Sequence, residues 1–197
     1  MKPPPLTFEP LTPERWDDFE RVFEARGCSV ARSCWCMYYR RTGSGSYADN
    51  ASRREANHGA MKALVEKGTV PGLIGYRAGE PVGWVSFGPR EEYRRLENSR
   101  VMAAVDAKRV WSIICFVVPS EHRKQGVARA LLRGAIAHAR SRGATMLEAY
   151  PVDPEKTDAD AYWFGTRSMY DAEGFVEVAR RSPGRPVMRK ALRPARA

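Results

Sequence analysis

The sequence predicts one α/β domain built on a central sheet, and three observations carry this. Ile113 to Arg140 reads as an apolar strand, a short polar turn and a helix whose Val127, Leu131, Leu132, Ala135, Ile136 and Ala139 recur mostly at spacings of three and four. Gly72 to Arg77 and Val82 to Phe87 are apolar runs joined by Ala78-Gly79-Glu80-Pro81, the pattern of a hairpin. Beyond a helix stop at Gly143, Ala144 to Val152, Phe175 to Arg181 and Pro186 to Lys190 supply further strands. At 197 residues the chain can bury a sizeable core as a single domain, 1–197, with frayed tails at 1–5 and 191–197.

In chain order, Leu6 to Leu11 is a first short strand. Thr12 as N-cap and Pro13 at the first helical position start a helix with one apolar face, Trp16, Phe19, Val22 and Phe23, ended by Gly27. Asp49 to Lys67 is a second helix with Ala56, Ala60, Met61, Leu64 and Val65 as its buried stripe, leaving His58 toward solvent. After the hairpin, Glu91 to Arg100 is charged and reads as a short helix over a connection. Arg109 to Val118 is a long fourth strand, apolar on both faces in its second half and therefore central.

The formal net charge of +10 calls for anionic company, although the arginine-rich stretch from Arg180 to Arg196 also suits a solvated tail. Four cysteines, Cys28, Cys34, Cys36 and Cys115, form no regular framework, and no apolar run is long enough to span a bilayer. The expectation is a cytoplasmic protein with reduced thiols and no membrane partner. Cys28 to Arg41 packs three of those cysteines, Trp35, Tyr38 and Tyr39 into one stretch without clean periodicity. A metal site with His58 lacks the spacing of structural zinc, so no metal is expected, and the segment reads as core packing or as an aromatic wall of a pocket. Arg40 to Ser46 is a basic, glycine-serine loop beside it.

The chemistry concentrates at Arg123-Lys124-Gln125-Gly126, between the central strand and its helix. Backbone N–H groups at a helix N-terminus carry partial positive charge, and glycine leaves no side chain between backbone and ligand. Phosphate suits such a turn best, with Arg123, Lys124 and Arg129 as surrounding cations, although an ordinary strand-to-helix turn with a basic surface has the same residues. A Walker loop and a three-glycine dinucleotide fingerprint are both absent.

The run Arg123-x-x-Gly126-x-Ala128, preceded by Phe116-Val117-Val118-Pro119, resembles the pyrophosphate-binding motif of the GNAT superfamily of N-acetyltransferases. A second signature, Tyr170-x-x-x-Gly174-Phe175, is similar to the end of that family's last helix, and the resemblance spans roughly Val70 to Arg189. It implies a central mixed, mostly antiparallel sheet of about seven strands splayed between the fourth and fifth and flanked by about four helices, with acetyl-CoA as co-substrate. It assigns Cys115, Phe116, Val117 and Val118 to the pantetheine, and Arg123, Lys124, Gln125, Gly126, Val127, Ala128 and Arg129 to the phosphates. Tyr170 takes the role of proton donor to the leaving thiolate, or is a packed tyrosine. Glu148, a carboxylate in an apolar strand, takes the role of general base, or faces solvent on the strand's alternate side. Trp35 and Tyr38 are the candidate substrate contacts.

The resemblance implies transfer of acetyl to a primary amine of a small molecule or peptide by direct attack in a ternary complex. A ping-pong route through Cys115 conflicts with burial of its thiol in a central strand. A coenzyme A-binding module without turnover, and a transferase acting on aminoacyl-tRNA, are the alternatives. The arginines are scattered rather than striped and no RNA-binding motif occurs, which places nucleic acid second. An acidic stretch, Asp153 to Phe164, hints at a cationic acceptor, and edge strands near the C-terminal end are compatible with a homodimer.

Overall fold

The computed structural model describes residues 4–42, 47–153 and 163–193. The tails at 1–3 and 194–197, 43–46 of the glycine-serine loop and 154–162 of the acidic stretch lie outside the described residues.

Seven strands form one sheet: β1 (Leu6–Pro10), β2 (Gly72–Arg77), β3 (Glu80–Pro89), β4 (Trp111–Val117), β5 (Met146–Ala149), β6 (Val176–Ser182) and β7 (Arg185–Ala191). Their order is β1-β2-β3-β4-β5-β7-β6, so β4 is central, as its apolar run predicts. Every pairing is antiparallel except β4 with β5. The helices are α1 (Trp16–Glu24), α2 (Ser29–Cys34), α3 (Asn50–Glu66), α4 (Val127–Ser141) and α5 (Arg167–Asp171).

Strand alternation sorts the core into two faces. Leu73, Val85, Phe87, Ile113 and Phe116 pack under Leu131, Leu132 and Ala135 of α4. Their neighbours Ile74, Trp84 and Val117 point the other way, against Phe19 and Phe23 of α1 and Met61 and Val65 of α3. Gly75 and Gly83 face one another across β2 and β3, and a Cβ on either would stand 3.0 Å from a Leu131 methyl. Their bareness is what lets α4 lie against the sheet. A third cluster, Tyr93, Leu96, Ile114, Tyr150, Phe164 and Val187, closes the connection after β3 onto the ends of β5 and β7.

Several expectations change in detail. Pro13–Arg15 is a 3₁₀ turn before α1, and the Thr12 hydroxyl accepts from Arg15 Nη1 at 3.3 Å instead of capping the helix. Asp49 does cap α3, accepting from the Ser52 N–H at 2.7 Å. Arg90–Glu92 and Arg94–Leu96 are two 3₁₀ turns in place of one short helix. His58 is not a solvent-facing residue: it is half-buried, with Nε2 2.5 Å from Glu20 Oε1 and its ring edge-on to Trp16 and Trp35.

Candidate active site

The site follows from how β4 is paired. Its β3 edge is paired up to Trp84↔Val117, with a register shift between Ser86 and Phe87 that skips Ile114. Its other edge meets β5 only through Trp111↔Leu147, Ser112↔Glu148 and Ile113↔Ala149. Past Ile113 the two parallel strands separate, and among the described residues the Ile114-to-Val117 edge has no strand beside it. An extended ligand with amide groups can complete such an edge as another strand would.

Immediately after β4 the chain turns through Ser120–His122 into the predicted glycine turn. Lys124 (φ 58°) and Gly126 (φ 76°) are both left-handed, and Gly126 sits at the N-cap of α4 with no side chain capping the helix. The first-turn N–H groups of Val127, Ala128 and Arg129 thus remain available at the positive end of a fifteen-residue helix. No atom lies within 4 Å of the position a Gly126 Cβ would take, so the cradle is open on that side. Backbone donors, a helix end and an open glycine fit a pyrophosphate, and the bare β4 edge fits the amides that follow it in coenzyme A.

The basic side chains contribute less than their sequence suggests. Arg123 turns back, donating from Nε to the Val118 carbonyl at 2.9 Å and from Nη2 to the Gly27 carbonyl at 2.6 Å. It braces the loop against the end of α1. Arg129 Nε is taken by Glu173 at 2.6 Å, and Gln125 bridges the Glu121 carbonyl and Arg77. Lys124 is exposed at the turn.

Tyr170 lies beside the open edge. Its hydroxyl donates to the Phe164 carbonyl at 3.0 Å, and its ring packs edge-on to Phe175 at 5.0 Å. A Cβ on Gly165 would touch Met169, Tyr170 and Phe116 together, which brings the Tyr170 ring next to β4. Burial, with a lesser contribution from Cys115, holds the phenol well above its ordinary pKa. It is therefore a protonated donor at neutral pH. Cys115 is itself pushed up, first by its hydrogen bond to Cys36 and then by burial. A thiol so placed is a poor nucleophile, which disfavours a covalent route.

For Glu148 the solvent-facing reading is corrected. It does not face solvent, being 0 % exposed, and it lies at Ser112, before the strands part. Arg90 Nη1 donates to Oε1 at 2.8 Å, Arg189 Nε to Oε2 at 2.7 Å, and the Tyr150 hydroxyl to Oε1 at 2.6 Å. Arg90 also donates to Tyr150 Oη and to the Leu96 and Met102 carbonyls, while Arg189 Nη1 reaches Asp106 at 2.8 Å. This network ties the 90–106 connection to β5 and β7. A carboxylate that accepts from two guanidinium groups and a phenol serves here as an anchor between these elements.

The substrate contacts are corrected likewise. Trp35 is 1 % exposed, stacked on Phe23 at 4.9 Å and packed among Phe19 and His58, so it is core. Tyr38 is exposed, with Arg95 Cζ 4.1 Å above its ring. Tyr39, from the same segment, lies edge-on to Phe164 at 5.6 Å and packs in the same cluster as Cys115. Trp35 and Cys36 have φ of 47° and 53°, and these left-handed non-glycine residues reset the alternation of the segment. No residue type there signals this. Arg90 and Arg189 were missed because a charged residue after a strand, or on an edge-proximal strand, is ordinarily solvated.

The profile of the acetyltransferase (GNAT) family matches residues 35–165. No curated protein matches the chain in sequence. Among solved structures, a GNAT-family acetyltransferase from Streptococcus agalactiae superposes with a TM-score of 0.57 at 11% identity, covering 94% of this chain and 95% of that one. An N-acetyltransferase from Thermoplasma acidophilum in complex with coenzyme A gives 0.52 at 13%, covering 95% and 99%. The ribosomal-protein-alanine N-acetyltransferase of Brucella melitensis gives 0.52 at 19%, covering 94% and 99%. With the family profile over two thirds of its length and this sheet beneath it, the chain belongs to the GNAT family of acetyltransferases, whose acetyl donor is acetyl-CoA.

Proposed function

We propose that the protein transfers acetyl from acetyl-CoA to a primary amine of a small molecule or peptide by direct attack in a ternary complex. The observation that carries this is the one-sided pairing of β4 directly ahead of an uncapped α4 N-terminus. The donor supplies an acyl carbon activated as a thioester. The turn at Lys124 to Gly126 and the first N–H groups of α4 bind its phosphates. The Cys115-to-Val118 segment orients the amides between phosphate and sulfur, and the Val117 N–H polarises the carbonyl. Holding donor and amine together at one edge supplies most of the rate. Tyr170 Oη holds the proton that the departing sulfur requires, by exchanging its bond to the Phe164 carbonyl for one to sulfur. Glu148 fixes the connection that walls the acceptor side, and the proton that the attacking amine gives up leaves to solvent.

The test is release of free thiol from acetyl-CoA across a panel of amines. Amine-dependent release is expected, with kcat lowered about a hundredfold in Tyr170→Phe, the loss of one positioned proton donor. Donor binding without any amine-dependent release would contradict the transferase reading and leave a binding module.

A further inference from the structure

Arg185 opens β7 beside the point where β4 and β5 part. Its Nη1 donates to the Tyr150 carbonyl at 3.2 Å, and its Cζ stands 4.5 Å over the Phe164 ring. Phe164 is the residue whose carbonyl receives the Tyr170 hydroxyl, and Tyr39 packs edge-on to its ring. Arg185, Phe164 and Tyr170 therefore form a short chain of contacts from the guanidinium to the proposed proton donor, with Tyr39 flanking it.

The charge at this place lacks a counterpart. Arg90, Arg189 and Arg40 are each paired with a carboxylate. Arg185 is half-buried, and among the described residues it has no carboxylate within ion-pair distance and one hydrogen bond, to a neutral carbonyl. The Tyr39 hydroxyl likewise has no hydrogen-bond partner among the described residues, and burial holds it as the neutral phenol. Burying a guanidinium against an aromatic ring without an anion costs free energy that an anionic ligand would return. A fork of guanidinium donors with a phenol beside it is a receptor for carboxylate or phosphate oxygens.

Resting on the transferase reading above, we propose that Arg185, with Tyr39, receives an anionic group of the acceptor, so that the substrates are amines bearing a carboxylate or a phosphate. Such an anchor, one residue removed from Tyr170, fixes the amine at the open edge of β4. It also selects against the simple cationic amines that the acidic stretch in the sequence suggests.

The experiment compares matched acceptors in the thiol-release assay: amino acids against their carboxamides, and phosphoethanolamine against ethanolamine. Each pair is measured with the full chain and with Arg185→Gln and Arg185→Lys. The readout is the ratio of kcat/KM for the anionic member to that for its neutral analogue. Intrinsic amine reactivity cancels when this ratio is compared between variants. The ratio should fall by about tenfold or more in Arg185→Gln, the value of one charge-assisted hydrogen bond, and by less in Arg185→Lys, which keeps charge without the fork. The carboxylate and phosphate arms tell which oxyanion is read. In parallel, protein saturated with coenzyme A is titrated calorimetrically with the same acids and neutral analogues, and only the acids should bind. A ratio changed less than about twofold in both variants, turnover of neutral amines alone, or no binding by any anionic member would overturn the proposal. Failure of the intact protein to bind acetyl-CoA would instead count against the transferase reading, so the two failures are distinct.

Discussion

Replacing Glu148 with glutamine separates an anchor from a base. The carboxylate is fully buried and holds two guanidinium groups at 2.8 and 2.7 Å and a phenol at 2.6 Å. Glutamine keeps the shape and removes the charge, leaving Arg90 and Arg189 facing a neutral amide whose NH₂ cannot accept. Breaking one side of a buried ion pair costs about 3–5 kcal/mol, because the remaining charge is stranded. For a chain of this length, each kcal/mol moves the unfolding midpoint by about 2–4 °C. Glu148→Gln should therefore lower Tm by about 6–20 °C in thermal unfolding, from 3–5 kcal/mol at those slopes. A double-mutant cycle with Arg189→Met should show coupling of about 1–3 kcal/mol, since the arginine loses its purpose with the carboxylate gone. Below its own Tm the variant should keep the wild-type shape of the pH–rate profile. A variant with unchanged Tm, kcat reduced about a hundredfold or more and the acid limb of the profile abolished would refute this reasoning and restore Glu148 as base.

Other outcomes follow from the same structure. Tyr93, Tyr150 and Tyr170 are all pushed above the ordinary phenol value, chiefly by burial, Tyr93 to about 12. The folded state holds these protons more tightly than the unfolded chain, so the stabilisation is complete below the ordinary value of 10.0 and is lost as pH rises past it. Tm should fall from about pH 10 upward, and Tyr170→Phe should fall less steeply, a result thermal scans between neutral and alkaline pH can check. Gly83→Ala would put a Cβ 3.0 Å from Leu131, 3.1 Å from Val127 and 3.2 Å from the Val117 carbonyl. Urea unfolding should register a cost of about 1–3 kcal/mol from overpacking. Gly79→Ala, at φ 85° with open space around it, should cost only the backbone strain, about 1 kcal/mol.

Elements written in periodicity or backbone chemistry could be read directly from the residues. The apolar stripe of α4, the Ala78-Gly79 hairpin, whose two left-handed residues suit only a tight turn, and the central place of β4 are of this kind. The phosphate turn was legible because a left-handed glycine opening a helix is a local feature. What depends on distant parts meeting in space was not. Glu148 reads the same whether it faces solvent, an amine or two arginines, and its partners Arg90 and Arg189 come from 58 and 41 residues away. Arg123 belongs to the right motif yet spends its guanidinium on Gly27, 96 residues earlier. Trp35 and Tyr38 were chosen over Tyr39 because the left-handed turn at Trp35 and Cys36 breaks any regular alternation.

The central claim is that the turn ending at Gly126, with the bare edge of β4, is the acetyl-CoA site. Calorimetric titration of the intact protein with acetyl-CoA, beside Gly126→Asp, tests it most directly. The account predicts micromolar or tighter binding by the intact protein and a loss of at least about a hundredfold in the variant, which sets a carboxylate against the phosphates at a left-handed position that favours glycine. Equal affinity in the two proteins, or no binding by the intact one, would contradict it.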